Sequence, residues 1–276
     1  MVIIKILLWN INQRSSISSR IPQVVVEEIM KHNPDIFVLT EYVKSQNHMN
    51  IVEQITDKGY TVLSDPRYIK GVNEVLIACK NGYRIDSVSI LPINEKNPNF
   101  LGATLSVRDI KINIVGTRIR TSGGKSQEEL DQNYKEKKIQ LESLKNHLRN
   151  IQGTTIVAGD FNNGSFKEGE TICEYKKRGV ARQFYSYPLV RQEMEEIGYF
   201  VNTPKEGYSW KECALDHLCT NKCTAKDVLY DWSFTKNSQY CPNKVGYPDH
   251  AILSANITIL NNKSKTSAHL LIPNEN

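Results

Sequence analysis

The sequence lacks any apolar stretch of about 18 residues, the length that a membrane-spanning helix requires. Its apolar N-terminal segment, MVIIKILLW, is short, contains Lys5 and is not followed by a small-residue cleavage site. These features predict a strand rather than a secretory signal. We therefore expect a protein that has no membrane segment and resides in the cytoplasm.

The sequence also lacks the cysteine spacing of a zinc site. Cys213, Cys219 and Cys223 are clustered, but no C-x₂-C pair occurs with partner histidines. In a chain of 276 residues without an export signal, we expect the thiols to be reduced. The fold is therefore expected to depend on its apolar core rather than on disulfides.

A dense basic tract is missing too, because lysines and arginines occur in short groups and the net charge is only +5. Such a mild basic excess suits an anionic substrate, but it is also common in proteins that bind none. Charge alone therefore gives weak support for a substrate that carries phosphate.

Apolar runs of strand length alternate with segments whose apolar residues recur at helical spacing, which is typical of sheets covered by helices. Helices are predicted at residues 22–32, 47–57 and 189–197, and after the capping-box pair Ser126 and Glu129. Strands are predicted at residues 2–9, 35–40, 60–64, 74–80, 83–91, 100–107, 110–116, 154–158, 214–220, 227–234 and 251–260. We expect one α/β domain over residues 1–260, followed by a polar tail at 261–276.

Polar side chains follow several of the predicted strands. They are Asn10, Glu41, Arg118, Arg120, Asp160 and Asn162. Ligands of α/β proteins bind beyond the strand ends, so these groups are expected to converge on one cleft.

Five motifs, WNIN, LTE, GDFN, ALDHL and PDHAIL, occur in this order between residues 7 and 255. Each motif is weak alone, but the set resembles the endonuclease/exonuclease/phosphatase superfamily, which includes pancreatic-type deoxyribonucleases and abasic-site endonucleases. The resemblance implies a four-layer α/β sandwich, in which two packed mixed β-sheets are flanked by helices. It also implies a divalent metal and a substrate phosphate in a pocket at one edge of the sandwich, and hydrolysis of a P–O bond by water.

The resemblance assigns the metal site to Glu41, as the principal ligand of Mg²⁺ or Mn²⁺, which prefer carboxylate oxygens. Asn10 matches an asparagine whose amide holds either the metal-bound site or the catalytic aspartate. Asp249 is expected close to the metal. The alternative for Glu41 is a surface or helix-capping carboxylate.

The catalytic residues follow from the later motifs. Asp160 resembles the aspartate that aligns or deprotonates the attacking water, and Asn162 resembles the amide that binds a phosphate oxygen. His250 is expected to contact the phosphate, with Asp216 fixing its tautomer. His217 is expected on the opposite face of its strand in a structural or rim role, because neighbouring strand residues alternate faces. An Asx turn is the alternative for Asp160 and Asn162.

Two positions depart from the family pattern. Arg118 stands where many relatives have histidine or tyrosine, and its guanidinium is expected to contact the phosphate. Arg120, on the same strand face, is a second candidate for substrate binding, although either arginine could form only a surface ion pair. Asn12 replaces an aspartate and could contact substrate or simply form a turn. Trp210 is placed at the substrate rim.

Substrate choice is less determined by the sequence. Basic and aromatic residues between 175 and 210 could hold phosphates and stack bases, or the aromatics could fill the core. We expect a monomeric nuclease acting on nucleic acid, with DNA preferred. The alternatives are a phosphatase or phosphodiesterase acting on small nucleotides or inositol phosphates, and an inactive relative that only binds nucleic acid.

Overall fold

Two six-stranded β-sheets form the centre of the protein in a computed structural model, which describes residues 1–14, 20–67, 71–122, 126–164 and 185–260. The first sheet contains β1 (Val2–Asn10), β2 (Ile36–Tyr42), β3 (Tyr60–Leu63), β4 (Glu74–Lys80), β11 (Thr224–Asp231) and β12 (Ile252–Ile259), in the order β11-β12-β1-β2-β4-β3. The second contains β5 (Arg84–Ile90), β6 (Asn99–Val107), β7 (Ile110–Arg118), β8 (Thr154–Asp160), β9 (Phe200–Asn202) and β10 (Asp216–Asn221), in the order β5-β6-β7-β8-β10-β9.

Both sheets are mixed. Strands β1 and β2 are parallel, as are β7 and β8, while the other neighbouring strands run antiparallel. The parallel pairs are joined through helices, which such connections require. The polar residues at the carboxyl ends of these four central strands therefore lie at one edge of the two sheets.

An apolar core fills the space between the two sheets. Ile6, Val38 and Ile114 belong to this core and are fully buried. The sheets approach so closely at Gly116 that an added Cβ would lie 2.4 Å from Val75 Cγ1. A larger residue at Gly116 would push the sheets apart.

Helices cover the outer faces. Helices α1 (Gln23–His32) and α2 (His48–Asp57) pack on the first sheet, and α3 (Gln127–Arg149) and α4 (Tyr187–Glu196) pack on the second. The predicted capping box begins α3, with both of its reciprocal hydrogen bonds present. The predicted four-layer α/β sandwich is confirmed. No helix in the described parts of the chain is long and apolar enough to cross a membrane.

The predicted elements are found with their ends shifted by no more than two residues, with one exception. The strand predicted at 227–234 is displaced by three residues. Strand β11 spans Thr224–Asp231, and a 3₁₀ turn follows at Ser233–Lys236. The aromatic residues of this segment suggest a strand, but Phe234 turns inward and packs edge-on against Trp9, with ring centroids 5.0 Å apart.

The short edge strand β9 was not predicted, because three residues are too few to show an alternating pattern. The tail at 261–276 and the basic residues Lys176, Lys177, Arg178 and Arg182 lie outside the described residues.

Candidate active site

The strand ends place the predicted residues at one edge of the sandwich. Asn10 ends β1, Arg118 ends β7 and Asp160 ends β8, and Arg118 lies opposite Asp160 in the ladder. Strand β10 begins at this edge, where Asp216 pairs with Asp160, and His250 lies two residues before β12 begins. Residues that are distant along the chain therefore meet in one pocket.

Asp160 is the most constrained carboxylate of the pocket, with 1% of its surface exposed. Its Oδ2 accepts hydrogen bonds from Asn10 Nδ2 at 2.9 Å and from Asn162 Nδ2 at 3.0 Å. Its Oδ1 accepts one from the backbone N–H of Asn162 at 2.9 Å. A carboxylate oxygen can accept more than one hydrogen bond. Oδ1 therefore keeps capacity for a water molecule.

The protonation of Asp160 reflects this crowding. Burial raises the pKa of the Asp160 carboxyl to about 6, and the negative charge of Asp216 acts in the same direction. The positive charges of His250 and Arg118 oppose the shift. Asp160 is then mostly ionised at neutral pH, yet basic enough to accept a proton from water.

Asp216 and His250 form a buried pair, with His250 Nδ1 2.7 Å from Asp216 Oδ2. Burial alone would lower the pKa of His250, but the charge of Asp216 and its hydrogen bond outweigh burial and raise the pKa to about 9. The ring therefore carries both protons at neutral pH. Because Nδ1 is bonded to Asp216, Nε2 is the donor that a substrate can reach.

Glu41 is the next-to-last residue of β2 and lies at an irregularity of that strand. The pairing of β2 with β4 shifts between Leu39 and Tyr42, and Glu41 has a left-handed backbone with φ of 51°. Such a conformation costs about 1–3 kcal/mol for a residue with a side chain, and it occurs at functional sites. The Glu41 carboxylate Oε1 lies 2.6 Å from Arg118 Nη2. The guanidinium of Arg118 thereby holds the Glu41 carboxylate in the pocket.

The donor set fits a hard divalent cation. Asp160, Asp216 and His250 place one possible ligand atom each within 4.8 Å of one another. The doubly protonated ring of His250 has no lone pair for a metal, so the carboxylates are the ligands that this edge offers. Asp216 Oδ1 is buried without a hydrogen-bond partner, which leaves acceptor capacity in the pocket. Glu41 is not part of this compact group, and its carboxylate binds Arg118.

The rim of the pocket is made of three loops joined by side-chain contacts: the loop after β1, the loop between β9 and β10, and the loop before β12. The carboxylate of Asp249 lies 3.0 Å from Arg14 Nη2 and 3.4 Å from Trp210 Nε1. The Trp210 ring lies 6.3 Å from the His250 ring, and the ammonium of Lys211 stacks on its face at 4.2 Å. Asp249 is therefore part of the rim and is absent from the compact carboxylate group.

Two predicted substrate-binding residues, Arg120 and Asn12, bind protein groups in the structure. The guanidinium of Arg120 donates to the backbone carbonyls of Asn94 and Asn97. The buried amide of Asn12 accepts from Arg14 Nε at 2.5 Å and donates to the Tyr247 carbonyl at 2.8 Å. These contacts connect Arg120 and Asn12 to the loops around the pocket. A substrate contact by either residue stays a prediction.

Asn162 binds protein groups in the structure, as the alternative of an Asx turn at this position would have it. Its two amide hydrogens donate to the Ile119 carbonyl and to Asp160 Oδ2, so neither is left for a phosphate oxygen. Its backbone has φ of 48°, and its N–H closes the turn onto Asp160. In this arrangement Asn162 positions Asp160.

His217 lies on the opposite face of β10, as predicted. It is fully buried, with Nε2 2.8 Å from Asn163 Oδ1 and Nδ1 2.9 Å from Thr203 Oγ1. Burial lowers the pKa of His217 to about 4, although the charge of Asp216 opposes the shift. His217 is therefore a neutral residue of the core.

Sequence reasoning missed the residues that brace the Asp216–His250 pair. Ser209 Oγ accepts from the backbone N–H groups of Leu215 and Asp216, and the Ser209 carbonyl accepts from Ala251 N–H. Trp9 Nε1 donates to the His250 carbonyl at 2.9 Å. Trp9 stands inside the WNIN motif and could have been suspected, whereas Ser209 has no distinguishing sequence signal.

No protein-family model and no curated protein sequence matches the chain. Solved structures do match it. An AP endonuclease from Archaeoglobus fulgidus has a TM-score of 0.62 at 18% identity, with 91% of this chain and 98% of that chain covered. The 3′ phosphatase NExo from Neisseria, bound to a product DNA hairpin, gives the same values.

A third similar structure is ANGEL2, a 2′,3′-cyclic phosphatase, in complex with adenosine-2′,3′-vanadate. Its TM-score is 0.59 at 13% identity, with 92% of this chain and 97% of that chain covered. At these identities the likeness concerns the fold. The chain shares the fold of these structures, and this fold is the two-sheet α/β sandwich that its motifs predicted.

Proposed function

We propose that this chain is a divalent-metal-dependent phosphoesterase that cleaves a P–O bond of nucleic acid, with DNA preferred. The observation that carries the proposal is the placement of Asp160. Three hydrogen bonds orient its carboxylate beside the charged Asp216–His250 pair, and Arg118 ends the neighbouring strand. A base, a charged donor and a second cation at one strand edge suit an attack on an anionic phosphate.

In the proposed reaction a water molecule attacks phosphorus while Asp160 Oδ1 takes its proton. The bond from phosphorus to the leaving oxygen breaks, and that oxygen takes the electron pair. His250 Nε2 and the Arg118 guanidinium donate to phosphate oxygens as negative charge builds on them. Asn10 and Asn162 keep Asp160 aligned.

The residue that would hold Mg²⁺ or Mn²⁺ is Glu41, with Asp160 and Asp216 beside it. When bound, the cation supplies positive charge against the developing negative charge of the phosphate. Asp249 and Asn10 remain candidates for contacts around this cation. All of these residues belong to one chain, so we propose that the active unit is a monomer with a single domain over residues 1–260. We also propose that the protein is located in the cytoplasm.

A nucleic-acid substrate is supported by the rim. Trp210 offers an aromatic face, while Lys211 and Arg14 add positive charge beside it, a combination that suits a stacked base next to its phosphate. NExo was found with a DNA hairpin product, which makes DNA the first choice. The 2′,3′-cyclic phosphatase ANGEL2 supports the alternative of a small nucleotide substrate.

A substrate panel tests the proposal. Duplex DNA, single-stranded DNA, RNA, nucleotides and inositol phosphates are incubated with Mg²⁺, Mn²⁺ or a chelator. We expect metal-dependent cleavage that is fastest with DNA and absent with the chelator. Cleavage that is unchanged by the chelator contradicts metal dependence. Salt-sensitive DNA binding without any cleavage favours the inactive-relative alternative.

A further inference from the structure

Arg118 is the feature of the pocket that the family pattern does not supply. Its Nη2 lies 2.6 Å from Glu41 Oε1, and its Nε lies 3.6 Å from Asp160 Oδ2. The side chains of Arg118 and Glu41 are only 10% and 11% exposed. The guanidinium is thus a nearly buried cation between two carboxylates of the pocket.

This placement sets Arg118 against a metal ion. An arginine side chain keeps its positive charge in proteins, so the guanidinium of Arg118 remains a cation beside Glu41. A divalent cation that approaches Glu41 meets a carboxylate that already has a positive partner, and two like charges close together repel. Arg118 must then move away from Glu41, or it must share that carboxylate with the cation.

Arg118 also has a use elsewhere in the pocket. Its Nε is buried without a hydrogen-bond acceptor, so part of its donor capacity is unused while Nη2 binds Glu41. Moving the guanidinium off Glu41 would free a further donor for an anionic ligand. The Arg118 side chain can therefore donate to Glu41 in the absence of a bound anion and to a phosphate oxygen when an anionic ligand is bound.

We propose that Arg118 is a built-in competitor for the divalent cation at Glu41. In this inference, which rests on the proposed function, Arg118 binds the Glu41 carboxylate when no divalent cation is bound. When a divalent cation binds, Arg118 moves from Glu41 to the substrate phosphate. Metal affinity is consequently weaker than the carboxylates alone would give. Loading of the site then depends on the divalent cation concentration.

The chain offers a matched control. Arg120 lies two residues further along, and its guanidinium binds the backbone carbonyls of Asn94 and Asn97. Replacing Arg120 by glutamine removes a similar side chain with the same charge from the same segment, but it leaves Glu41 and its partner in place. A general effect of losing positive charge would appear in both variants.

The test is the dissociation constant of Mn²⁺, measured by electron paramagnetic resonance of the free ion, without substrate. Arg118→Gln is expected to bind Mn²⁺ about tenfold more tightly than the unmodified protein, a factor equivalent to about 1.4 kcal/mol. Arg120→Gln is expected to stay within about twofold. Circular dichroism checks that each variant is folded.

Three additional variants separate competition from a packing effect: Arg118→Lys, Glu41→Gln, and the combination of Glu41→Gln with Arg118→Gln. Arg118→Lys keeps a positive charge, so its Mn²⁺ affinity should stay within about threefold of the unmodified protein. In a background with Glu41→Gln, adding Arg118→Gln should change the affinity by less than about twofold, because the contested carboxylate is gone. A tenfold gain in that background would show that Arg118 acts through another group.

The remaining outcomes are distinct. If the unmodified protein binds Mn²⁺ and Arg118→Gln binds it equally or more weakly, the competition is refuted while the proposed function stands. If neither protein binds Mn²⁺ at millimolar concentration, the proposed metal dependence fails and the competition fails with it.

Discussion

The two faces of β10 carry neighbouring residues with opposite properties. On one face Asp216 points to the pocket and pairs with His250, whose pKa rises to about 9. On the other face His217 lies in the core under α4, and burial lowers its pKa to about 4. Both histidines are buried, so burial alone does not decide their charge. The presence of a carboxylate partner does.

The faces also differ in how completely their polar atoms are used. Both ring nitrogens of His217 have neutral partners, Asn163 and Thr203. In the pocket, Asp216 Oδ1 and Arg118 Nε are buried without hydrogen-bond partners. A satisfied neutral cluster stabilises the fold, whereas unused donors and acceptors are available to a ligand. This contrast distinguishes the surroundings of His217 from those of Asp216 and Arg118.

The largest expected effect is on Asp160, which lies on the pocket side. Asp160→Asn should lower kcat/KM by about 10²- to 10⁴-fold, because the amide cannot accept the proton of the attacking water. The variant keeps the shape of the side chain and should remain folded, although its amide nitrogen cannot accept the hydrogen bond that a carboxylate oxygen accepts at that position. The measurement is the initial rate on the best substrate of the panel. Turnover near that of the unmodified protein would refute the role of Asp160.

The second effect concerns His250. His250→Gln removes a charged donor from the phosphate and should lower kcat by about 10²- to 10³-fold, the cost of losing one donor of this kind. Steady-state kinetics on a folded variant measures the loss. A fall in kcat of less than about threefold would contradict the role of His250 as a donor to the phosphate.

The third effect appears in stability, on the core side. His217→Leu leaves Asn163 Oδ1 and Thr203 without a partner and should lower the free energy of unfolding by about 1–3 kcal/mol. Activity of the folded variant should stay within about threefold. Urea denaturation and kinetics at a temperature where the variant is folded give both numbers. A large loss of kcat with unchanged stability would reverse the assignment.

The smallest effect is a shift of the pH profile. Activity should rise with pH through about 6 as Asp160 loses its proton, and fall above about 9 as His250 loses its own. Asp216→Asn removes the charge that holds the His250 proton, so the alkaline limb should move down by about one unit or more. An alkaline limb that does not move would show that another group titrates there.

Much of the fold was predictable because its elements carry strong local signals. The capping box of Ser126 and Glu129 and the apolar runs that end at Asn10 and Asp160 locate helices and strands within two residues. The gathering of these strand ends at one edge followed from parallel topology. Phe234 was misassigned because its partner, Trp9, lies on a distant strand.

The finer layout of the site was not predictable. The contact of Glu41 with Arg118 accompanies a strand irregularity and a left-handed backbone at Glu41, which has no local sequence signature. Arg120 was expected beside Arg118, but its destination depends on where the loop carrying Asn94 and Asn97 lies. Long side chains choose among partners that only the assembled fold provides.

Hydrolysis in ¹⁸O-labelled water tests the central claim most directly, because the claim is that water activated at this strand edge attacks phosphorus. A phosphodiester is incubated with the protein and Mg²⁺, and the products are analysed by mass spectrometry. The account predicts one ¹⁸O atom in the phosphate-bearing product of each cleavage, and none in the released alcohol. Label in the alcohol, or no cleavage of any phosphodiester, would contradict it.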